Sequence, residues 1–289
     1  MQKPAETTSI VESIAGLRER LAPWRRTGSI GLVPTMGALH AGHARLVEDA
    51  RRDCQLVVVS IFVNPLQFDR REDLEQYPRA LQSDLEFCER LGVDVVFAPS
   101  AGEMYPAPPT CTVEVGRIGD HLCGRYRPGH FRGVATVVLK LLDIVQPHRA
   151  YFGEKDAQQL AIVRRLVADF NLPVTIVGVP TVREADGLAL SSRNRHLSQD
   201  ERALALSLYR ALSEARDQIA AGVRDANRVK AAALARIPDL PALKLEYLEI
   251  VEPEEMQPVN AIDGPVCVAG ALWVGSTRLI DNLLCTPSE

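Results

Sequence analysis

The sequence predicts an α/β protein: a parallel sheet with helices on both faces, followed by a smaller C-terminal α+β domain. Three observations carry this expectation. Up to about residue 180, apolar runs of strand length alternate with amphipathic helical patterns, as they do along a parallel sheet. The run at 56–63 is valine-rich and carries no charge, the mark of a strand buried on both faces. After Pro180 the pattern changes to long helical stretches and then hairpin-like strands, which places a domain boundary between residues 182 and 183.

In chain order, strands are expected at 30–33, 56–63, 93–97, 150–152 and 174–179, and helices at 44–54, 79–91, 133–143 and 157–170. Each helix shows apolar residues at three- and four-residue spacing. Residues 98–132 interrupt the alternation with Pro106, Pro108, Pro109, Gly116, Gly119 and Gly124, so this stretch reads as an excursion packed near the site. Ser198-Gln199-Asp200-Glu201 has the form of a capping box and opens a helical stretch that breaks at Gly222 and ends near residue 237. Strands follow at 244–251, 266–274 and 278–283, joined by turns containing Pro253, Pro258 and Gly264-Pro265. There is no internal repeat and no low-complexity segment.

Bulk properties narrow the function classes. A chain of 289 residues with 46% hydrophobic content can bury a sizeable core. Its net charge of −4 argues against nucleic-acid partners, which require a basic face. Six cysteines stand apart with no C-x-x-C pair, so they read as small buried hydrophobes in a reducing compartment. No apolar run reaches membrane-spanning length, and the N-terminus has no basic-then-apolar leader. The expected location is the cytoplasm.

The chemistry concentrates in loops that follow strands. Pro34-Thr35-Met36-Gly37-Ala38-Leu39-His40-Ala41-Gly42-His43 leaves the first of these strands and enters a helix, where a parallel sheet binds phosphate. Gly37 and Gly42 allow bending and close approach. A close histidine pair also suits a surface position or half of a metal site. Metal is disfavoured because helical ligand pairs prefer i, i+4 spacing and no third ligand is nearby. Asn64 and Gln67 leave the next strand. Asn64-Pro65 alone is a turn signal, whereas Gln67 between two hydrophobes points an amide into a small pocket. The 127–133 loop is dense in donors and precedes the helix bearing Lys140; its arginines suit phosphate or open solvent. Gly153 allows close approach, Lys155 offers a point charge for phosphate, and Gln159 lies one turn further on. Asp186 to Asn194 holds Ser191, Ser192 and Arg193, which suit a triphosphate or a helix-capping loop.

Together, Pro34–His43, Asn64–Phe68, Arg127–Phe131, Phe152–Gln159 and Asp186–Asn194 resemble the pantoate–β-alanine ligase family, in that family's order and spacing. The resemblance implies the Rossmann-like fold of the cytidylyltransferase and class I synthetase group, with His40 and His43 as the H-x-G-H motif. Ser191-Ser192-Arg193 match the KMSKS-like loop. It further implies that residues 1–182 bind nucleotide and pantoate and that 183–289 form a lid. The implied reaction joins pantoate to β-alanine through a pantoyl adenylate, with ATP as substrate and Mg²⁺ as cofactor. The implied catalytic residues are His40, His43, Lys155, Ser192 and Arg193. Pantoate would meet Pro34, Thr35, Met36, Gln67 and Gln159. ATP would meet Met36, His43, Gly153, Lys155, Asp156, Val182, Leu190, Ser191, Ser192 and Arg193, with Asp84 near the metal. A homodimer is implied by the family alone.

The chain departs from the family pattern at four positions. Ala157 replaces an aromatic, Cys123 a frequent glutamate, Ser83 a frequent acidic residue, and Leu190 a common methionine. None removes a catalytic group, so an active enzyme is expected. The rival readings are another small-molecule adenylyl- or cytidylyltransferase, a class I tRNA synthetase remnant, and a nucleotide-binding protein without turnover. Gln67 and Gln159 suit a small hydroxy-acid and disfavour the first; the acidic charge disfavours the second.

Overall fold

The computed structural model describes residues 8–288; the first seven positions, on which the reading of no leader rests, lie outside it. Six strands form a wholly parallel sheet: β1 (Ser9–Val11), β2 (Ile30–Thr35), β3 (Leu56–Ile61), β4 (Val95–Phe97), β5 (Arg149–Gly153) and β6 (Thr175–Val179). Their spatial order is β1-β4-β3-β2-β5-β6. The chain thus runs outward from β2 in one direction and resumes at β5 on β2's other side. That reversal is a topological switch point, where such sheets bind ligands beyond the strands' carboxyl ends. A second sheet is antiparallel, with order β7 (Leu243–Val251), β8 (Val266–Val274), β9 (Thr277–Cys285). The expected fold class holds.

The described residues fall into two compact units. The first comprises the chain up to Val115, Gly129–Glu154 and Ile162–Pro180; the second comprises Gly116–Pro128, Lys155–Ala161 and the chain from Thr181. In the first, Val57, Val58 and Val59 of β3 are wholly buried, as a central parallel strand requires. The helix Ala41–Asp53 covers Val57 and Val59 with Leu46, Val47 and Ala50; Val58 faces the sheet's other side. In the second unit, helix Gln199–Ala220 buries Ala205, Leu208, Ala211, Leu212, Ala215 and Ile219. This is one stripe at helical spacing, and it packs with Ile250, Val268 and Leu272 of the antiparallel sheet. Ser198 and Glu201 cap that helix reciprocally, at 3.2 and 2.9 Å, as their spacing foretold.

Several boundaries differ from expectation. The helix expected at 44–54 begins at Ala41, because an unusual cap described below starts it early. β3 stops at Ile61, since Asn64-Pro65 turns the chain into a 3-10 segment, Pro65–Gln67. β1 escaped sequence reading because three residues carry no periodicity; its register with Val95–Phe97 defines it. The 98–132 excursion holds short helices at Ala101–Met104 and Leu122–Tyr126.

Five of the six cysteines are buried and Cys111 is exposed. Burial pushes the thiols of Cys88 and Cys267 up to about 12 and that of Cys285 to about 11. A thiol reacts as its thiolate. At pH 8 the folded protein is therefore expected to give one fast equivalent with a disulfide reagent, lost in Cys111→Ser, and the remainder on denaturation. A second fast equivalent would contradict this packing.

Candidate active site

Pro34 lies in β2 beyond the last β2–β5 pair, Leu32 with Ala150, so its missing N–H breaks no ladder with β5. Thr35 at the strand end donates its hydroxyl to the Ser60 carbonyl at 2.7 Å and accepts the Gly37 N–H at 3.2 Å. The chain then bends through Gly37 at φ +83° and Ala38 at +53°. Asp84, 3% exposed, anchors that bend: its two carboxylate oxygens accept the N–H groups of Ala38 and Leu39 at 2.9 and 2.8 Å. Asp84 thus has a scaffold role that sequence reading, which placed it near a metal, did not foresee. Among the described residues no group of three or more His, Cys, Asp or Glu could hold a metal ion.

His40 is the N-cap of the helix Ala41–Asp53. Its Nδ1 accepts the Gly42 N–H at 3.1 Å, while the His40 N–H donates to Nδ1 of His43 at 3.2 Å. The two imidazoles thus perform the reciprocal role usually taken by Ser and Glu. Their ring centroids lie 4.2 Å apart. Because each Nδ1 accepts, the ring proton of the neutral form sits on Nε2 in both. A Cβ on Gly42 would lie 2.9 Å from Cε1 of His40, which explains the glycine between the histidines.

Behind this loop lies a buried amide network in the same unit. Asn64 is 1% exposed and Gln67 8%. Asn64 Nδ2 donates to Gln67 Oε1 at 3.0 Å and to the Gly133 carbonyl at 3.1 Å. Gln67 Nε2 is 3.2 Å from Met36 Sδ. His130 Nδ1 lies 2.8 Å from the Gln67 carbonyl, and Tyr105 donates to Asn64 Oδ1 at 2.9 Å. Neither Tyr105 nor His130 was singled out from sequence for this role. Arg132, a possible phosphate donor by sequence, pairs instead with Glu114 at the surface.

The second unit gathers the remaining residues. Leu190 donates its N–H to the Val182 carbonyl at 2.9 Å, and Arg183 bridges Ala189, so the two residues expected near nucleotide close one small hairpin. Arg183 holds it: the guanidinium forks onto Asp281 at 2.7 and 2.9 Å and lies over the Tyr209 ring. A hydrogen bond from Arg202 holds the Asp186 carboxyl below its usual range. The hairpin delivers Ser191, whose hydroxyl accepts the Arg193 N–H at 3.3 Å and starts the turn Ser192–His196. β9 ties two cationic positions together: Arg193 Nη1 donates to the Arg278 carbonyl, and Asn282 Nδ2 donates to the Lys155 carbonyl. Lys155 and Asp156 belong to the turn Glu154–Asp156 that follows β5. A Cβ on Gly153, at the end of β5, would meet nothing within 4 Å, leaving room for close approach. Gln158 is buried and structural, donating to the Ile118 and His121 carbonyls; Gln159 beside it is half-buried.

Cys123 lies 3.2 Å from the Tyr247 hydroxyl and 3.5 Å from Arg278 Nη2. Glu246 pairs with Arg278, so the absence of a carboxylate at 123 leaves no unpaired buried cation. Burial raises the Tyr247 hydroxyl well above its ordinary range.

A parallel sheet with imidazoles capping the helix beyond its switch point defines the class: an α/β protein with an H-x-G-H loop where such sheets commonly bind ligands. Comparison with known proteins narrows it. The family model for pantoate-beta-alanine ligase matches residues 9–284, and the chain belongs to that family. It is 55% identical over 273 residues to a bifunctional pantoate ligase/cytidylate kinase of Thermosynechococcus vestitus, covering 93% of this chain and 53% of that protein. The chain thus spans about half the length of that relative. The structure resembles a pantothenate synthetase from Thermus thermophilus, with TM-score 0.91, 47% identity and coverage of 97% and 100% of the two chains. It also resembles a pantoate-beta-alanine ligase from Francisella tularensis complexed with beta-gamma ATP and beta-alanine, with TM-score 0.80, 36% identity and coverage of 96% and 97%.

Proposed function

We propose that this chain joins pantoate to β-alanine at the expense of ATP. The pantoate carboxylate attacks the α-phosphorus and pyrophosphate leaves, giving pantoyl adenylate. The β-alanine amine then attacks the acyl carbon, AMP leaves, and the amine proton passes to solvent. The observation that carries this reading is the pairing, in one unit, of capping imidazoles with a buried, hydrogen-bonded glutamine amide. The first suits phosphate oxygens; the second suits a small polar acid.

Each residue then has a task. Imidazole N–H groups of His40 and His43, the Lys155 ammonium, the Ser192 hydroxyl and the Arg193 guanidinium stabilise charge that develops on the phosphates. Pro34, Thr35, Met36, Gln67 and Gln159 position pantoate; Gly153, Asp156, Val182, Leu190 and Ser191 surround the nucleotide. Mg²⁺ suits this donor set as an ion carried by the ATP phosphates and water, neutralising phosphate charge; Asp84 offers it only the lone pairs left beyond its two backbone hydrogen bonds. A cytoplasmic homodimer completes the proposal, supported by the buried, unpaired cysteines and the family likeness. Among the described residues no helix is long and apolar enough to cross a membrane.

The test is product analysis with purified protein. Pyrophosphate–ATP exchange is expected with pantoate alone, and AMP with pantothenate when β-alanine is added. ATP turnover independent of pantoate would overturn the assignment.

A further inference from the structure

Backbone groups fix the polarity of the amide network around Gln67. The Leu66 N–H can only donate, and it faces Asn64 Oδ1 at 3.3 Å. The Gly133 carbonyl can only accept, and it faces Asn64 Nδ2 at 3.1 Å. The Asn64 amide therefore has one orientation. Two consequences follow. The Tyr105 hydroxyl, 2.9 Å from Asn64 Oδ1, must be the donor. Gln67 must turn Oε1 to Asn64, which directs its Nε2 toward Met36.

We propose that Tyr105 is a positioning residue for the acid substrate: by donating to Asn64 Oδ1 it adds to the Leu66 and Gly133 contacts in steadying the Asn64 amide, which holds the Gln67 amide with its N–H edge toward Met36, so that Gln67 recognises an acceptor oxygen of that substrate. The assignment of the substrate as pantoate rests on the function proposed above; the positioning does not. Tyr105 comes from the excursion between β4 and β5, far in sequence from the residues it orders. Its ring is held between Phe62, at 6.1 Å between centroids, and the Lys140 ammonium, 5.4 Å from the ring centroid. Burial pushes its hydroxyl up to about 12, so it stays protonated, and a donor, throughout the working range of pH. The hydroxyl adds nothing to the hydrophobic packing of the ring, so Tyr105→Phe removes one of the hydrogen bonds that steady Asn64 and little else.

Two measurements test this. In the first, Tyr105→Phe is expected to raise KM for pantoate about three- to tenfold with kcat, KM for ATP and Tm nearly unchanged. Asn64→Asp, which turns an acceptor toward two acceptors, is expected to raise it about a hundredfold. Unchanged KM for pantoate in Tyr105→Phe, or a parallel rise for every substrate, would overturn the proposal. The second needs no substrate: side-chain amide exchange of Gln67 by NMR, assigned through its loss in Gln67→Glu. Exchange in Tyr105→Phe is expected to quicken about tenfold; identical exchange would overturn the positioning. If wild-type protein shows no pantoate-dependent turnover, the function reading fails while the NMR result still decides the role of Tyr105.

Discussion

Replacing His43 with alanine is expected to slow adenylate formation by about a hundred- to a thousandfold, the effect of removing one donor aimed at developing charge. The structure adds a second expectation. His43 Nδ1 accepts the His40 N–H, so the alanine variant also loses half of a helix cap, at a cost of about 1 kcal/mol. The two effects separate in His43→Gln. Glutamine is a usual residue at the third helical position of a capping box, and its carbonyl oxygen can accept the same N–H. Tm should therefore return toward wild type while single-turnover adenylation stays low. Recovery of both together would show that the cap, and not the imidazole, is what the reaction needs. Undiminished adenylation in His43→Ala would remove His43 from the mechanism.

The same pair shows what sequence could and could not reveal. H-x-G-H after an apolar run marked the loop between β2 and the helix that follows, because strand, glycine and helix start are local signals. It did not reveal that the imidazoles cap the helix, since capping sequence patterns rest on Ser, Thr, Asp and Asn. Alternation of apolar runs foretold the parallel sheet, and β8 occupies the residues expected, Val266–Val274. The switch point depends on strand order, which no local pattern carries. Asn64 and Gln67 stood out as amides near a strand end. Their partners Tyr105, His130 and Gly133 lie between 41 and 69 residues away and join them only through packing. Asp84 entered only through the family resemblance, and its contacts are to backbone N–H groups, which have no sequence signature. The Arg183–Asp281 and Arg278–Glu246 pairs are likewise long-range contacts.

Gly133→Ala is expected to be strongly damaging although it touches no polar side chain. Gly133 is the fourth residue of helix His130–Val145. A Cβ there would lie 2.2 Å from the Leu66 carbonyl oxygen, 2.4 Å from its carbon and 2.6 Å from the Gln67 nitrogen. All three are backbone atoms, so no side chain can rotate away; helix and turn must separate by about 1 Å, a displacement that in a reacting site costs about a hundredfold in rate. The separation would stretch the Gly133 carbonyl–Asn64 hydrogen bond and the His130–Gln67 contact, two ties between that helix and the segment around the Pro65–Gln67 turn. Alanine is intrinsically better in a helix than glycine by about 1 kcal/mol, so a net loss of stability measures overpacking that exceeds this gain. About 1–3 kcal/mol of destabilisation is expected, read as a lowered denaturant midpoint. In the folded fraction, pantoate-dependent adenylation should fall about a hundredfold. A Gly133→Ala protein of wild-type stability and wild-type KM for pantoate would show that helix and turn are not in the close contact on which the Gln67 geometry depends.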